Sequence, residues 1–276
     1  MQEVFISIDG NNFRILTQNL ESKNKPFVLL HGFAGSANIW KFLFENLNLD
    51  FPLIAIDLIG HGKTSSPKDY ELYIESALLD QLNKILTHFN IQETILLGYS
   101  MGGRLALSFA INNQNRIKGL ILESSSPGIE DENLRNQRIQ SDLSIAEQID
   151  SKELKDFFTE WYKQPVFSSL RNIPNKLESL IERKTVNNKT GLTNSLKGFS
   201  TGKMKSYWND ISKMEIPVLL VCGSLDTKYY EIMQKMNSLI PNSTLKVNVG
   251  TGHITHLEKP DEFLNFVRSF LRTFLE

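Results

Sequence analysis

Residues 95–102 read Ile95-Leu96-Leu97-Gly98-Tyr99-Ser100-Met101-Gly102 and contain the pattern Gly-x-Ser-x-Gly. A short apolar run precedes this pattern, and Leu105, Ala106 and Phe109 follow it at helical spacing. The order predicts a strand, a sharp turn and a helix, with Ser100 at the turn. The flanking glycines permit a tight, strained turn that lifts the serine hydroxyl above the end of the strand.

Short apolar runs recur along the chain. They lie at residues 27–30, 53–56, 95–97, 120–122, 218–221 and 245–249. Runs that are apolar on both faces are typical of parallel strands covered by helices, and helical patterns lie between several of them. Alternating apolar residues around Asp9-Gly10 predict an N-terminal β-hairpin. The sequence therefore predicts an α/β fold with a mostly parallel, doubly wound sheet.

The segment 129–208 interrupts this alternation, because it contains no strand-like run. It is polar and charged, and its pattern predicts helices over residues 132–149 and 153–161. A segment of this length is too long to be a plain loop. We expect a helical cap at 129–208, inserted into a core formed by 1–128 and 209–276.

Composition excludes several classes of function. The 276 residues carry a formal net charge of -1, and the lysines are scattered, so nothing points to nucleic acid. No apolar run is long enough to span a membrane, no secretory signal is visible, and the single cysteine forbids an intramolecular disulfide. We expect a cytoplasmic protein without stable membrane insertion. The sequence leaves the oligomeric state open.

A serine hydroxyl needs a base before it can react. His253 lies in Gly250-Thr251-Gly252-His253, directly after the run at 245–249. A loop at the carboxyl end of a strand is the place from which a histidine can meet Ser100. His256, three residues further on, is the alternative for the same role, and a surface position is the alternative reading of His253.

The histidine in turn needs a carboxylate to fix its tautomer. Asp226 follows the run at 218–221, again near a strand end, and the chain order Ser, Asp, His is the one that accompanies this type of turn. Asp57 also ends a strand but precedes the serine. The predicted catalytic residues are thus Ser100, Asp226 and His253, with a helix N-cap as the alternative role of Asp226.

Two backbone N–H groups are predicted to hold a developing negative charge. The stretch His31-Gly32-Phe33 follows the run at 27–30, and in this architecture that loop supplies one such donor. The residue after the serine supplies the other. We therefore expect the N–H groups of Phe33 and Met101 to form an oxyanion hole.

The turn, the His-Gly-Phe loop and the ordered triad together resemble the α/β-hydrolase superfamily over nearly the whole chain. The resemblance implies the α/β-hydrolase fold, with the helical cap as its insertion. That fold supports many reactions and does not by itself choose a substrate.

Three further stretches carry a narrower resemblance. They are Gly98-Tyr99-Ser100-Met101-Gly102-Gly103-Arg104, the segment from Ser126-Pro127-Gly128 to Ser141-Asp142, and Trp161-Tyr162-Lys163-Gln164-Pro165-Val166-Phe167. This set is similar to the 2-succinyl-6-hydroxy-2,4-cyclohexadiene-1-carboxylate (SHCHC) synthases of menaquinone biosynthesis. The resemblance implies a lyase that eliminates pyruvate from 2-succinyl-5-enolpyruvyl-6-hydroxy-3-cyclohexene-1-carboxylate and uses neither cofactor nor metal.

The resemblance also implies a set of substrate-binding residues. By motif match these are Tyr99, Arg104, Arg138 and Trp161. A further cap arginine fits Arg183 only after a shift of one residue, and Arg135 and Lys184 are the alternative cations. Arginines suit the small-molecule tricarboxylate substrate, because the guanidinium fork bonds carboxylates bidentately. The alternative reading of each is a solvated surface charge.

In this hypothesis Ser100, activated by His253, removes a proton from the substrate and forms no covalent intermediate. A serine carboxylesterase and a hydrolase of carbon–carbon bonds would use the same triad, and only the arginines and the cap motif speak against them. A non-catalytic ligand-binding protein on this fold is a third, more remote reading.

Overall fold

The computed structural model describes residues 1–275. Its strands are β1 (Gln2–Ile8), β2 (Asn11–Gln18), β3 (Phe27–Leu30), β4 (Leu53–Ile56), β5 (Thr94–Tyr99), β6 (Ile117–Glu123), β7 (Val218–Gly223) and β8 (Ser243–Asn248). Its α-helices are α1 (Lys41–Asn46), α2 (Glu75–His88), α3 (Met101–Asn112), α4 (Glu132–Ser151), α5 (Leu154–Trp161), α6 (Pro174–Lys184), α7 (Lys189–Phe199), α8 (Thr227–Leu239), α9 (Thr255–Glu258) and α10 (Pro260–Leu271).

The eight strands form one sheet in the order β1-β2-β4-β3-β5-β6-β7-β8. The strands from β3 to β8 are parallel, whereas β1 and β2 pair antiparallel with each other and β2 pairs antiparallel with β4. The predicted fold class is confirmed. All six apolar runs became strands, because side chains on both faces of a parallel sheet are covered by helices.

Burial follows position in the sheet. Every residue of β3, β4 and β5 is buried, as expected for central strands, whereas the edge strands β1 and β8 are partly exposed. The predicted hairpin is present. Asp9 (φ 49°) and Gly10 (φ 77°) both take left-handed conformations, which is the geometry of a two-residue turn between antiparallel strands.

The segment between β6 and β7 contains four α-helices, α4 to α7, and a 3₁₀ helix at Pro165–Asn172. The predicted helices at 132–149 and 153–161 correspond to α4 and α5. The long helix α4 is capped by Asp131, the residue before its first turn, whose side chain accepts a hydrogen bond from the Leu134 N–H. No helix within residues 1–275 has the length and apolarity needed to cross a membrane.

Candidate active site

Ser100 occupies a strained turn between β5 and α3, with φ 52° and ψ −108°. Positive φ is unfavourable for a residue with a side chain and is held here by tight packing. A Cβ on Gly102 would lie 2.4 Å from the His31 carbonyl oxygen, and one on Gly98 would lie 2.3 Å from the Gly102 carbonyl oxygen. The two glycines of the motif are therefore required by close backbone approach, as the sequence predicted.

The three residues predicted as a triad are hydrogen-bonded to one another. His253 Nδ1 lies 2.6 Å from Asp226 Oδ2, and His253 Nε2 lies 3.1 Å from Ser100 Oγ. His253 and Asp226 are almost completely buried. The geometry lets Nδ1–H donate to the carboxylate while Nε2 accepts from the serine hydroxyl, which is the arrangement that prepares a serine to lose its proton.

Asp226 makes the contacts expected both of a carboxylate that orients His253 and of a helix N-cap. Its Oδ2 faces His253, while its Oδ1 accepts a hydrogen bond from the Tyr229 N–H at 3.4 Å and so caps helix α8. The cap fixes the carboxylate at the carboxyl end of β7, and the tautomer of His253 follows from that position.

His256 does not take the role of His253. Its Nδ1 lies 2.7 Å from Glu123 Oε2, and Glu123 Oε1 accepts from the Thr255 hydroxyl at 2.7 Å and the His256 N–H at 3.0 Å. Glu123 ends β6 and is fully buried. The site thus contains a second imidazole–carboxylate pair beside the first.

Two free backbone donors are found near Ser100, one on the loop after β3 and one on the residue that follows the serine. Within the described chain neither the Phe33 N–H nor the Met101 N–H has a hydrogen-bond acceptor. Met101 begins α3, so its N–H has no partner inside the helix. A Cβ on Gly32 would lie 3.4 Å from Ser100 Cβ, which shows how closely the loop approaches the serine.

His31 holds that loop in place and is not itself a reacting group. Its Nε2 accepts from the Leu58 N–H at 3.0 Å, and its Nδ1 lies 2.8 Å from the Gly32 carbonyl oxygen, to which it donates. Burial lowers the pKa of His31 to about 3, so the ring stays neutral.

Ser100 opens into a cavity of about 730 Å³ between the sheet and helices α4 to α7. Its lining includes the turn at Ser100, part of the His-Gly-Phe loop, His253 and His256. Among residues 1–275 it includes one acidic side chain, Asp142. Seven basic side chains line it, namely Lys41, Arg104, Arg138, Lys176, Arg183, Lys184 and Lys228. The cavity is therefore suited to a small molecule with several negative charges.

Arg104 is a buried cation of this cavity, as is Lys184. It is 8% exposed, its Nη1 donates to the Phe199 carbonyl oxygen at 2.9 Å, and its guanidinium lies 4.8 Å from the centre of the Phe199 ring. Among residues 1–275 no carboxylate lies within ion-pair distance of it. Burial, with a smaller contribution from the charge of Arg138, lowers its pKa to about 10. It stays charged at neutral pH and lacks a counter-ion.

Arg138 on α4 is paired within its own helix. Its Nε lies 2.8 Å from Asp142 Oδ2 one turn later, and Asp142 is almost completely buried. The other oxygen, Oδ1, is buried without a hydrogen-bond partner in the part of the chain that the structure describes. The pair faces the cavity, so Arg138 presents its remaining guanidinium donors with its orientation already set.

The end of α6 places Lys184, rather than Arg183, deep in the cavity. Arg183 is exposed at the rim and its Nε donates to the Ser179 carbonyl oxygen, whereas Lys184 is buried and its Nζ donates to the Phe33 carbonyl oxygen at 3.2 Å. Burial, followed by the charge of Arg183, lowers the pKa of Lys184 to about 7. Arg135 lies outside the cavity lining and donates to the Gly202 carbonyl oxygen.

Tyr99 and Trp161 supply aromatic walls. The Tyr99 ring lies between the two imidazoles, with centroids 5.6 Å from His253 and 4.9 Å from His256. Trp161, at the end of α5, contacts Phe33 of the loop at 6.1 Å. Burial raises the pKa of Tyr99 well above its usual value, so its hydroxyl keeps its proton.

Sequence reasoning did not assign Glu123 or Asp142 to the site, and treated Lys184 only as a substitute. Glu123 directly follows the apolar run at 120–122, and an acidic residue at a strand end was the available signal. Asp142 stands four residues after Arg138, the spacing of an ion pair on one helix face.

The fold and the serine–histidine–aspartate geometry agree with the comparison to known families. A family model described as alpha/beta hydrolase fold matches residues 25–260, so the chain belongs to the α/β-hydrolase family. A Bacillus subtilis protein provisionally named 2-succinyl-6-hydroxy-2,4-cyclohexadiene-1-carboxylate synthase is 36% identical over 95% of this chain and 96% of its own length.

Two further relatives point in the same direction. A Klebsiella pneumoniae protein named 2-succinyl-6-hydroxy-2,4-cyclohexadiene-1-carboxylate synthase is 30% identical over 84% of this chain and 88% of its own length. The solved structure of MenH from S. aureus superimposes with a TM-score of 0.89 at 32% identity, covering 95% of this chain and 98% of that chain.

Proposed function

We propose that this chain is an SHCHC synthase, a lyase of menaquinone biosynthesis that eliminates pyruvate from 2-succinyl-5-enolpyruvyl-6-hydroxy-3-cyclohexene-1-carboxylate. The observation that carries the proposal is the charge of the cavity, in which, among residues 1–275, seven basic side chains and one carboxylate surround Ser100. The substrate carries three carboxylates, on the ring, on the succinyl chain and on the enolpyruvyl group. An ester of an uncharged acid would gain nothing from this excess of cations.

Substrate binding is assigned to the cations and aromatic walls described above. Arg104 and Arg138 would each hold a carboxylate, because both are held in place and project donors into the cavity. Tyr99 and Trp161 would pack against the ring and the succinyl chain. A role for Arg183 in substrate binding stays a prediction, because this residue lies at the rim of the cavity. Buried Lys184 is the stronger candidate for binding the third carboxylate.

Catalysis begins with removal of the ring proton next to the succinyl ketone. Ser100 Oγ takes this proton as its own passes to His253 Nε2, 3.1 Å away. Asp226 stabilises the imidazolium that forms and holds the ring in the correct tautomer. The electrons of the broken carbon–hydrogen bond form an enolate. Its oxygen accepts hydrogen bonds from the N–H groups of Phe33 and Met101.

The enolate then collapses through the ring alkene. A carbon–carbon double bond forms next to the ketone, the alkene shifts by one position, and the carbon–oxygen bond to the enolpyruvyl group breaks. The leaving group departs as the enolate of pyruvate and takes up one proton, equal to the one held by the His253 imidazolium, whose release returns the triad to its starting state. The electrons end on pyruvate, the products are the conjugated diene and pyruvate, and no bond to Ser100 is made.

Residues 129–208 are proposed as the cap that closes this cavity, over a core of 1–128 and 209–276. Two contacts between this segment and the residues around Ser100 support the proposal. Phe167 of the 3₁₀ helix lies 6.0 Å from the His253 ring, and Lys184 donates to the loop that carries Phe33. A cytoplasmic location, and the absence of nucleic-acid partners and stable membrane insertion, stay predictions.

The test mixes the purified protein with its predicted substrate, made in situ by the enzyme of the preceding step. Pyruvate release and the diene absorbance are followed together, and both should rise at equal rates and vanish in Ser100→Ala. Turnover of simple aryl esters without acceleration of the elimination would make the protein a carboxylesterase. A substrate-derived acyl group trapped on Ser100 would contradict its role as a base.

A further inference from the structure

The second imidazole of the cavity, His256, is unused in the mechanism above. Its Nδ1 is committed to Glu123 at 2.7 Å, which leaves Nε2 as the only ring nitrogen able to act. In residues 1–275 this Nε2 has no hydrogen-bond partner, and the atom keeps some accessible surface. The Nε2 of His61 also lacks a partner, but that atom is fully buried. His256 lines the cavity, so its free nitrogen is available to a ligand there.

Packing alone does not explain the pair. The His256 ring is surrounded by aromatic rings, with centroids 4.9 Å from Trp40, 6.3 Å from Phe42 and 6.0 Å from Phe263. An apolar ring would suit such surroundings at lower cost, because a buried carboxylate must be desolvated and then fully hydrogen-bonded. Glu123 is fully buried and both of its oxygens are bonded, so its orientation is set before any ligand arrives.

The position of Tyr99 connects the two histidines. Its ring contacts both imidazoles, so His253 and His256 stand on either side of the side chain that precedes the serine. A ligand whose reacting carbon lies at Ser100 therefore extends within reach of both rings when it fills the cavity. The other titratable groups that face His256 are Glu123 from β6 and Tyr99 from β5.

We propose that His256 is a substrate-contacting residue: with its Nδ1–H donating to Glu123, its Nε2 accepts a hydrogen bond from the hydroxyl group of the cavity's ligand, and Glu123 is the positioning residue that fixes the ring. This deepens the proposed function and rests on it.

Two amide substitutions separate a ligand contact from a purely structural role. Asparagine places its amide nitrogen near the position of Nδ1, and glutamine places an amide group, whose oxygen can accept a hydrogen bond, near Nε2. His256→Asn keeps the donor to Glu123 and removes the group facing the cavity, whereas His256→Gln does the reverse. KM, kcat and the Kd of the diene product are measured for both, with melting temperatures as the control for folding.

If His256 contacts the ligand, His256→Asn raises KM and the product Kd at least tenfold while kcat changes less, and His256→Gln binds more tightly than His256→Asn. His88→Asn, on the exposed face of α2, should leave all three constants unchanged. Wild-type binding in His256→Asn, together with a destabilised His256→Gln, would assign His256 a structural role only and overturn the proposal.

A second measurement keeps the proposal testable should His256→Asn fail to fold. In wild-type protein labelled with ¹⁵N-histidine, the Nε2 resonance of His256 should move when the diene product is added, and its Nδ1 resonance should move little. An unmoved Nε2 resonance in the saturated complex would refute the contact. A wild-type protein that neither eliminates pyruvate nor binds the product would overturn the proposed function and this inference with it.

Discussion

Replacing Arg104 by methionine should make the protein more stable and less active. The side chain is buried without a carboxylate partner in residues 1–275, and burial lowers its pKa from the usual arginine range to about 10, which corresponds to about 3 kcal/mol of penalty on the charged form. The lowered pKa is still well above 7, so the full penalty is present at neutral pH. Methionine fills similar space without a charge.

Part of this gain is offset by lost contacts. The hydrogen bond to the Phe199 carbonyl is worth about 1 kcal/mol and the cation–π contact with the Phe199 ring about 0.5 kcal/mol. The net increase in the free energy of unfolding is therefore about 1–2 kcal/mol. For a chain of this size it should raise the melting temperature by roughly 3–6 °C.

The same change removes a desolvated cation from a carboxylate of the substrate. Loss of one partner of such a pair costs about 2–4 kcal/mol, which lowers kcat/KM by roughly 30- to 1000-fold. Thermal melting and steady-state kinetics of Arg104→Met measure the two effects, and Arg135→Met, outside the cavity, is the matched control. A variant that melts lower than wild type and keeps kcat/KM within twofold would refute the reasoning on both counts.

Three further predictions concern the Ser100–His253 pair, Lys184 and the glycine turn at Gly102. Ser100→Ala and His253→Ala should each lower kcat by about 10³-fold or more without changing the fold, and the double variant should be no worse than either alone, since the residues act as a unit. The pKa of Lys184 is about 7, so it is charged below that pH, and KM for the substrate should rise as the pH increases from 6 to 8.5; Lys184→Arg should flatten this rise, and an identical rise in the variant would exclude Lys184 as its cause. Gly102→Ala should lower the melting temperature by several degrees and reduce activity, because the new Cβ would lie 2.4 Å from the His31 carbonyl oxygen; an unchanged melting curve would contradict the packing described.

The sequence predicted the sheet and the triad because both depend on local signals. A strand covered on two faces is apolar at consecutive positions, and the residues predicted as a triad follow such strands in the chain order typical of this fold. Ser100, Asp226 and His253 each stand near a strand end, so no knowledge of the packing was needed to bring them together.

The second imidazole–carboxylate pair depends on tertiary structure instead. Glu123 and His256 are 133 residues apart and meet only because α9 follows β8 and lies against the end of β6. The choice between Arg183 and Lys184 depends on the phase of α6, since one residue along a helix turns the side chain by about 100°. A motif match with a register uncertain by one residue cannot decide between them.

The excess of cations around Ser100 also affects the empty protein. Arg104 comes from α3 and Lys184 from α6, neither has a carboxylate partner within residues 1–275, and like charges brought to one cavity repel each other. The substrate then supplies the counter-ion that these two side chains lack, and its binding reduces their repulsion. The cavity therefore carries excess positive charge when no substrate is bound. Inorganic anions should compete with the substrate for these cations and lower the rate.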